Sequence, residues 1–179
     1  GSSEAGYGIR GVEFAKVAYK FTSLQKDVLR GVDFFFNRTL YDYNIPFYLC
    51  VWDDNNGFPG SLLFKQIGEV VEYDSGINNF HTYRIDNTNI TDITKESLEI
   101  EGNYYIGWIQ PKDLLMNVGV DLNNNVENRI YYDAGSGWEK SFVQSPLMIR
   151  PLFGKELPAV VNIDDNDCFS VKIQPNPAS

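Results

Sequence analysis

Apolar and polar residues alternate along most of this chain of 179 residues. A period of two places successive side chains on opposite faces of an extended strand. Alternation with one apolar face is therefore typical of strands that are buried on one side. The clearest apolar faces are Val17, Tyr19 and Phe21, then Val28, Val32, Phe34 and Phe36, and then Phe47, Leu49 and Val51.

Short turn-forming clusters separate these runs and leave little room for helices. Asp, Asn, Ser and Gly favour turns because they tolerate left-handed backbone or bond to it with their own side chains. The best helical candidate is the brief segment Leu62–Gln66. Since an all-β chain buries one face of each sheet against another, we predict an antiparallel, jelly-roll-like β-sandwich over residues 7–155. The turn clusters are Asp53–Gly57, Asp74–Gly76, Glu101–Asn103, Asn123–Asn125 and Gly135–Gly137.

Composition and charge narrow the classes of partner. Hydrophobic residues make up 43% of the chain and aromatic residues 15%, which favours a packed core over disorder. The net charge of −9 would repel nucleic acid and anionic membrane surfaces, so we expect neither as a partner. The sequence has no run of about 18 apolar residues, so it predicts no membrane-spanning helix. Cys50 and Cys168 lie in a strand and in the tail, and we expect both to be thiols.

The C-terminal segment has a recognisable pattern, in which a short apolar strand, Phe169–Ile173, runs into Pro175-Asn176-Pro177-Ala178. It resembles the start of the C-terminal sorting domain of proteins that Bacteroidetes export through the type IX secretion system. The resemblance implies that the native protein continues past Ser179, contacts the export machinery and works as a secreted or cell-surface protein. We therefore divide the chain into an artificial or disordered start (1–6), the sandwich (7–155), an acidic linker (156–167) and a truncated sorting domain (168–179).

A second resemblance lies in the body of the chain, over roughly residues 45–155. The segments that carry it are Val51–Gly60, Tyr104–Gln110, Asn117–Asp121, Gly137-Trp138 and Leu147–Pro151. In this order they resemble a β-sandwich module found just upstream of the sorting domain in large secreted Bacteroidetes proteins, peptidases among them. The resemblance implies an accessory role and attaches no chemistry to the module.

Catalytic side chains are few. His81 is the only histidine and lies in a strand-like alternation, so nucleophilic catalysis is poorly supported. Glu99 and Glu101 would share one face of a strand at about 6.5–7 Å, a separation that glycoside hydrolysis can use. Charges that protect a wet sheet edge are the more ordinary explanation. We expect a protein that is not an enzyme, and a glycoside hydrolase is the third hypothesis.

Two turns rich in Asp and Asn offer oxygen ligands to calcium, which takes about six to eight of them. One set is Asp53, Asp54 and Asn55, and the other is Asp121, Asn123 and Asn125. The second set matches the first half of an EF-hand loop but lacks its later glycine and glutamate. Turn formation alone also explains both segments, because Asp and Asn cap turns. Calcium is the one cofactor that the sequence suggests.

Trp138 directly follows a Gly-Ser-Gly turn and lies close in sequence to Tyr131 and Tyr132. Trp52 and Trp108 lie in apolar strands, and we expect them in the core. Carbohydrate-binding sandwiches stack sugar rings on exposed aromatic faces, while polar side chains bond the hydroxyls. We predict Trp138, Tyr131 and Tyr132 as ligand-binding residues, with packing inside a hairpin as the alternative for Trp138.

These observations favour a non-catalytic accessory or binding module of a secreted or surface-attached protein. Carbohydrate or another extracellular polymer is the expected ligand, and loops around Trp138 and the Asp53–Gly57 turn would form the contact surface. The alternative is a structural spacer that positions an upstream catalytic domain and the sorting signal. A binding module should present an open aromatic face, whereas a spacer should bury all three tryptophans.

Overall fold

The computed structural model describes residues 5–37, 45–73 and 80–160, which are all-β apart from one 3₁₀ turn over Asn87–Asn89. Every strand pairing in these ranges is antiparallel, and the predicted antiparallel, jelly-roll-like β-sandwich is confirmed. A search of the same ranges for a helix long and apolar enough to cross a membrane finds none. The strands are β1 (Ala5–Tyr7), β2 (Lys16–Phe34), β3 (Pro46–Asn55), β4 (Phe58–Val70), β5 (His81–Arg84), β6 (Glu99–Ile109), β7 (Val118–Val120), β8 (Ile130–Asp133), β9 (Glu139–Lys140) and β10 (Ile149–Phe153).

The front sheet has the strand order β4-β3-β6-β2-β8-β9. Its centre is formed by the first part of β2, which pairs with β6 on one side and with β8 on the other. Strands β3 and β4 form a long hairpin on one flank, and β8 and β9 form a short hairpin on the other. The two hairpin ends therefore belong to opposite flanks of one sheet.

Strand β2 continues from the front sheet into a back layer. After a register shift between Ser23 and Asp27, its second part pairs with β5 and β10. Strands β1 and β7 form a small sheet that an isolated bridge between Phe36 and Val118 joins to the end of β2. A register shift of this kind bends a strand, which lets one strand serve both layers.

The main core lies between the front sheet and the back layer. The Phe34 ring of the back layer lies 6.0 Å from the Phe47 ring and 6.3 Å from the Trp108 ring of the front sheet. All three side chains are fully buried. Phe47 and Trp108 lie on the face of the front sheet that points to this core, which we call the inner face. The opposite face of the front sheet, which we call the outer face, points away from this core.

Three expectations from the sequence are wrong in detail. Leu62–Gln66 is extended within β4, because it pairs with β3 along its length and this pairing overrides local preference. In β2, Leu29 is buried in place of Val28, because the pairing with β10 skips Arg30 and so reverses the alternation. Strand β1 begins at Ala5, inside the segment that was expected to be disordered.

The segment after β10 is attached to the back layer by two arginines. The Arg30 Nε–H donates to the Gly154 carbonyl at 3.0 Å, and the Arg84 guanidinium donates to the carbonyls of Leu157 and Pro158. The predicted linker thus begins against the sandwich. Most of it, together with Cys168 and the predicted sorting segment, lies outside the described residues.

Candidate binding site on the outer face

The outer face of the front sheet has a floor of small residues at its centre. Cys50, Gly107 and Ala18 are direct cross-strand neighbours on β3, β6 and β2. A Cβ atom added to Gly107 would lie 1.8 Å from the Val17 carbonyl oxygen, so this position accepts no larger residue without a backbone shift. The floor is fully buried, although no second sheet of the described residues packs on it.

Aromatic side chains cover this floor and touch one another edge to face. The ring centroids of Trp52 and Trp138 are 5.3 Å apart, and those of Tyr105 and Tyr131 are 5.2 Å apart. The Phe58 ring reaches over from the β3–β4 hairpin to within 5.5 Å of the Tyr131 ring. Edge-to-face pairs of this kind are favourable arrangements of aromatic rings. We call these five residues the outer cluster.

The β3–β4 hairpin brings its polar residues to this cluster. Its two-residue turn is Asn56-Gly57, and both residues have positive φ values of 52° and 89°. Asn-Gly is the sequence that such a type I′ turn prefers, because it tolerates left-handed backbone. Asp54 supports the turn by accepting a hydrogen bond from the Gly57 N–H at 3.2 Å.

The β8–β9 hairpin positions Trp138. Asp133 Oδ1 accepts hydrogen bonds from the N–H groups of Gly135 and Gly137, at 2.8 and 3.0 Å, and so fixes the loop that leads to the tryptophan. The Lys16 ammonium forms an ion pair with Asp133 Oδ2 at 2.9 Å and lies 5.7 Å from the centroid of the Trp138 ring. Trp138 is half-buried and lies in the loop of this hairpin, directly before β9.

Trp138 and the tip of the β3–β4 hairpin line one cavity of about 480 Å³, which we call the Trp138 cavity. The structure thus joins two sites that the sequence suggested separately, the tryptophan and the Asp53–Gly57 turn. The lining residues are Asp53, Asp54, Asn55, Pro59, Gly60, Ser61 and Trp138.

The two tyrosines predicted with Trp138 lie elsewhere. Tyr131 belongs to the outer cluster, is 4% exposed and does not line the Trp138 cavity. Tyr132 packs against the main core on the opposite face of the sheet, and its hydroxyl donates to Glu139 Oε2 at 2.8 Å. Neighbours in a strand point to opposite faces, so the pair could not act together.

The carboxylates of both predicted calcium segments are engaged in hydrogen bonds. Asp53 Oδ1 accepts from the Ser61 N–H at 2.5 Å, and Asp54 Oδ1 accepts from the Tyr105 hydroxyl at 2.7 Å. Asp121 accepts from the Asn123 N–H at 3.0 Å and from the Asn124 amide at 2.7 Å, inside its own turn. Among residues 5–37, 45–73 and 80–160, no three Asp, Glu, His or Cys side chains are grouped to hold a metal. The calcium site stays a prediction, as do Asn55 and Asn125 as its ligands.

The hydrogen bonds of the outer face set the charges around the Trp138 cavity. Burial opposes ionisation of Asp54, but hydrogen bonds from Tyr105 and Gly57 and the nearby Lys20 ammonium outweigh it and lower the pKa of this carboxyl below its usual value. Burial likewise opposes ionisation of Asp133, and Lys16 with the loop N–H groups again lowers its pKa overall. Both carboxylates are therefore charged at neutral pH.

Residues considered for catalysis lie away from the Trp138 cavity. Glu99 and Glu101 are exposed at the start of β6, and Glu99 Oε2 lies 2.7 Å from the Lys26 ammonium. His81 lies on β5 in the back layer, and its ring centroid is 4.8 Å from that of Tyr83. None of the three lines the cavity.

Sequence reasoning missed Phe58, Tyr105 and Ser61 as parts of this region. The alternation of Tyr104 and Tyr105 is a signal that could have placed Tyr105 on this face, but nothing local predicts that Phe58 reaches across the sheet to Tyr131. Comparison with family models, with curated proteins and with solved structures found no match. Interpretation of the site therefore depends on its geometry.

Proposed function

We propose that this chain is a non-catalytic carbohydrate-binding module and that its ligand enters the Trp138 cavity. One observation carries the proposal: a half-buried tryptophan and a polar hairpin tip line one cavity of about 480 Å³. The cavity is open to solvent and lined mostly by polar groups, which suits a hydrophilic ligand such as a sugar. A flat indole ring suits the C–H face of a sugar ring, because both surfaces are apolar.

The polar wall of the cavity supports the same class of ligand. Asp53, Asn55 and Ser61 line the same cavity as Trp138, and they are residues with carboxylate, amide and hydroxyl groups. Carboxylates accept hydrogen bonds, and amides and hydroxyls both donate and accept them, which matches the mixed donors and acceptors of sugar hydroxyls. The hairpin turn and the cross-sheet bond from Tyr105 to Asp54 hold this wall in place without a ligand.

The test is calorimetric titration of the purified chain with a panel of neutral and charged oligosaccharides. Trp138→Ala should weaken binding of any ligand found by about tenfold or more, because it removes the stacking wall. The matched control is Phe142→Ala, which removes an aromatic ring that is 94% exposed and lies outside the cavity. Equal affinities of the two variants, or a panel without a ligand, would reject the proposal.

The structural spacer is the second candidate, and the burial of two tryptophans favours it. Trp108 is fully buried in the main core and Trp52 is 4% exposed in the outer cluster. Of the three tryptophans only Trp138 is partly exposed, so the tryptophan surface open to a ligand is narrow. A folded chain that binds no oligosaccharide of the panel would support the spacer.

We also propose that residues 168–179 begin an export signal, so that the protein is secreted or held at the cell surface. The resemblance of Phe169–Ser179 to a type IX sorting domain supports this proposal. Removal of all residues after Ile163 from the full-length protein should abolish surface delivery, as measured by protease accessibility on intact cells. Unchanged delivery of that variant would reject an export role for the segment.

A further inference from the structure

We propose that the ligand of the outer face is an acidic oligosaccharide, one whose sugar units carry carboxylates or sulfates, and that Lys65 and Lys140 bind its negative charges. This inference depends on the carbohydrate-binding function proposed above and adds a ligand class to it. It starts from the register of the front sheet, which places these two lysines at opposite ends of one row of residues across the outer face.

The row crosses all six strands of the front sheet. Each member is the direct cross-strand partner of the next, and direct partners point to the same face of a sheet. Neighbouring strands lie about 4.8 Å apart, so the row spans about 24 Å between its end residues. A ligand that reaches both ends must therefore be several sugar units long. In strand order from β4 to β9, the row is Lys65, Cys50, Gly107, Ala18, Tyr131 and Lys140.

Aromatic rings hold the two end lysines over the outer face. The Lys65 ammonium lies 4.8 Å from the centroid of the Tyr48 ring, and the Lys140 ammonium lies 5.9 Å from that of the Tyr131 ring. Neither ammonium forms an ion pair within 4 Å with a carboxylate among residues 5–37, 45–73 and 80–160. An ammonium has three N–H donors, so each lysine can still donate hydrogen bonds to a ligand.

The other two lysines around the floor are neutralised. Lys16 pairs with Asp133 at 2.9 Å, and Lys20 pairs with Asp54 at 3.6 Å. These two pairs cancel, so the end lysines leave a local positive charge on the outer face, although the whole chain has a net charge of −9. Electrostatic complementarity at this face therefore favours an anionic ligand.

The acidic residues at the start of β6 do not cancel this charge. Alternation gives Glu99 and Glu101 the same face as Tyr105, but Glu101 lies four residues from Tyr105, which is about 13 Å along the strand. This separation exceeds the Debye length of about 8 Å at physiological ionic strength, so the interaction between such exposed charges is largely screened. Glu99 is in addition paired with the Lys26 ammonium at 2.7 Å.

Trp138 lies between the two ends of the row. It packs against the buried cluster that contains Ala18 and Cys50, which are in the middle of the row. A sugar chain that extends from one end lysine to the other therefore passes the indole ring, and stacking and ionic contacts act on the same ligand. We expect an acidic oligosaccharide to bind about tenfold more tightly than its neutral form, because two exposed ion pairs are added to the stacking contact.

The experiment compares hexasaccharides in an acidic and a neutral form, titrated calorimetrically into the whole chain. The pairs are oligogalacturonate and its methyl ester, oligoglucuronate and its methyl ester, and a sulfated and an unsulfated cello-oligosaccharide. Lys65→Gln and Lys140→Gln should each weaken binding of the acidic form by about threefold, and the double variant by about tenfold, with no change for the neutral form. The control is Lys155→Gln, which removes the same charge from an exposed residue beside Gly154, where the chain is bonded to the back layer.

The possible outcomes separate this inference from the proposed function. If the acidic and neutral forms bind with equal affinity and Trp138→Ala weakens both, the carbohydrate site stands and the acidic preference is wrong. If Lys155→Gln weakens binding as much as Lys65→Gln, the preference comes from the overall charge and the inference is likewise rejected. If no hexasaccharide binds in either form, both the site and its preference are rejected. A preference that the double variant abolishes and Lys155→Gln leaves intact would support the inference, and the three pairs would show whether carboxylates or sulfates are bound.

Discussion

The inner and outer faces of the front sheet are buried to a similar degree but in different ways. On the inner face, Val17, Leu49 and Trp108 are fully buried because a whole layer of strands packs on them. On the outer face, Ala18, Cys50 and Tyr105 are also fully buried, but the described side chains that pack on them come from the same sheet and its hairpins. The inner face is the core of the fold, and the outer face is a smaller cluster with an open end at the Trp138 cavity.

This difference indicates how structure and binding are divided between the faces. Removal of a side chain that lies between two layers deletes contacts on every side and leaves a cavity. A side chain that only covers a floor can be removed while the strands beneath keep their pairing. Variants of the side chains that cover the outer face should therefore affect ligand binding more than folding, and this expectation can be tested.

The largest effect is expected for tryptophan removal on the two faces. Trp108→Ala should lower the free energy of unfolding by about 3–5 kcal/mol, because it leaves a large cavity between the layers. Trp138→Ala should lower it by about 1–2 kcal/mol, because the ring is only half-buried. Urea unfolding followed by circular dichroism measures both values. Equal losses would mean that the outer cluster is as much a part of the core as the inner face.

The second effect concerns the floor of the outer face. Gly107→Ala should destabilise the chain by about 3 kcal/mol, because the added Cβ would lie 1.8 Å from the Val17 carbonyl oxygen and must displace backbone. Ala18→Gly, at the cross-strand neighbour of Gly107, should lower the free energy of unfolding by only about 1 kcal/mol, because glycine loses more conformational freedom than alanine when it folds into a strand. If the two variants unfold at the same urea concentration, β6 and β2 are less closely paired than the structure has them.

The same contrast explains how much of the molecule the sequence could predict. Alternation identified the inner face, since Val17, Leu49 and Val51 needed only the period of two. The burial of Cys50 and Ala18 was not predictable, because Tyr131 and Trp138 pack against their cluster from distant parts of the chain. The reversal from Val28 to Leu29 depends on a bulge opposite β10, and the strand at Leu62–Gln66 depends on pairing with β3. Each miss is a long-range effect that overrides a local pattern.

Acid should destabilise the chain partly through the Asp133 carboxylate on the outer face. Asp133 is ionised in an ion pair with Lys16, and its pKa is lower than in an unfolded chain, where it is about 3.9. A lowered pKa stabilises the fold above the unfolded value, and this contribution is lost as the pH falls through the folded value. Asp133→Asn should therefore lower the free energy of unfolding by about 1–2 kcal/mol at pH 7. Between pH 7 and pH 2, the variant should lose less stability than the unchanged chain.

The control for this pH prediction is Asp113→Asn, an exposed position outside the outer cluster, which should change stability at pH 7 by less than about 0.5 kcal/mol. Urea unfolding at several pH values gives the comparison. If Asp133→Asn shows the same dependence on pH as the unchanged chain, then other groups cause the acid sensitivity and the ion pair with Lys16 contributes little.

The smallest effect is expected from removal of calcium, and it decides whether the outer face depends on side chains alone. Asp53 and Asp54 accept hydrogen bonds from Ser61, Tyr105 and Gly57, so the hairpin is held without a metal. We therefore expect the melting temperature to stay the same when a chelator replaces millimolar calcium. A ligand that binds only the folded chain stabilises it by mass action, so a bound ion would make the melting temperature fall. If it falls, Asp53→Asn and Asp121→Asn separate the two segments, because only the variant at the metal site should abolish the difference. If Asp53→Asn abolishes the effect of the chelator, the hairpin at the Trp138 cavity is a metal-dependent structure.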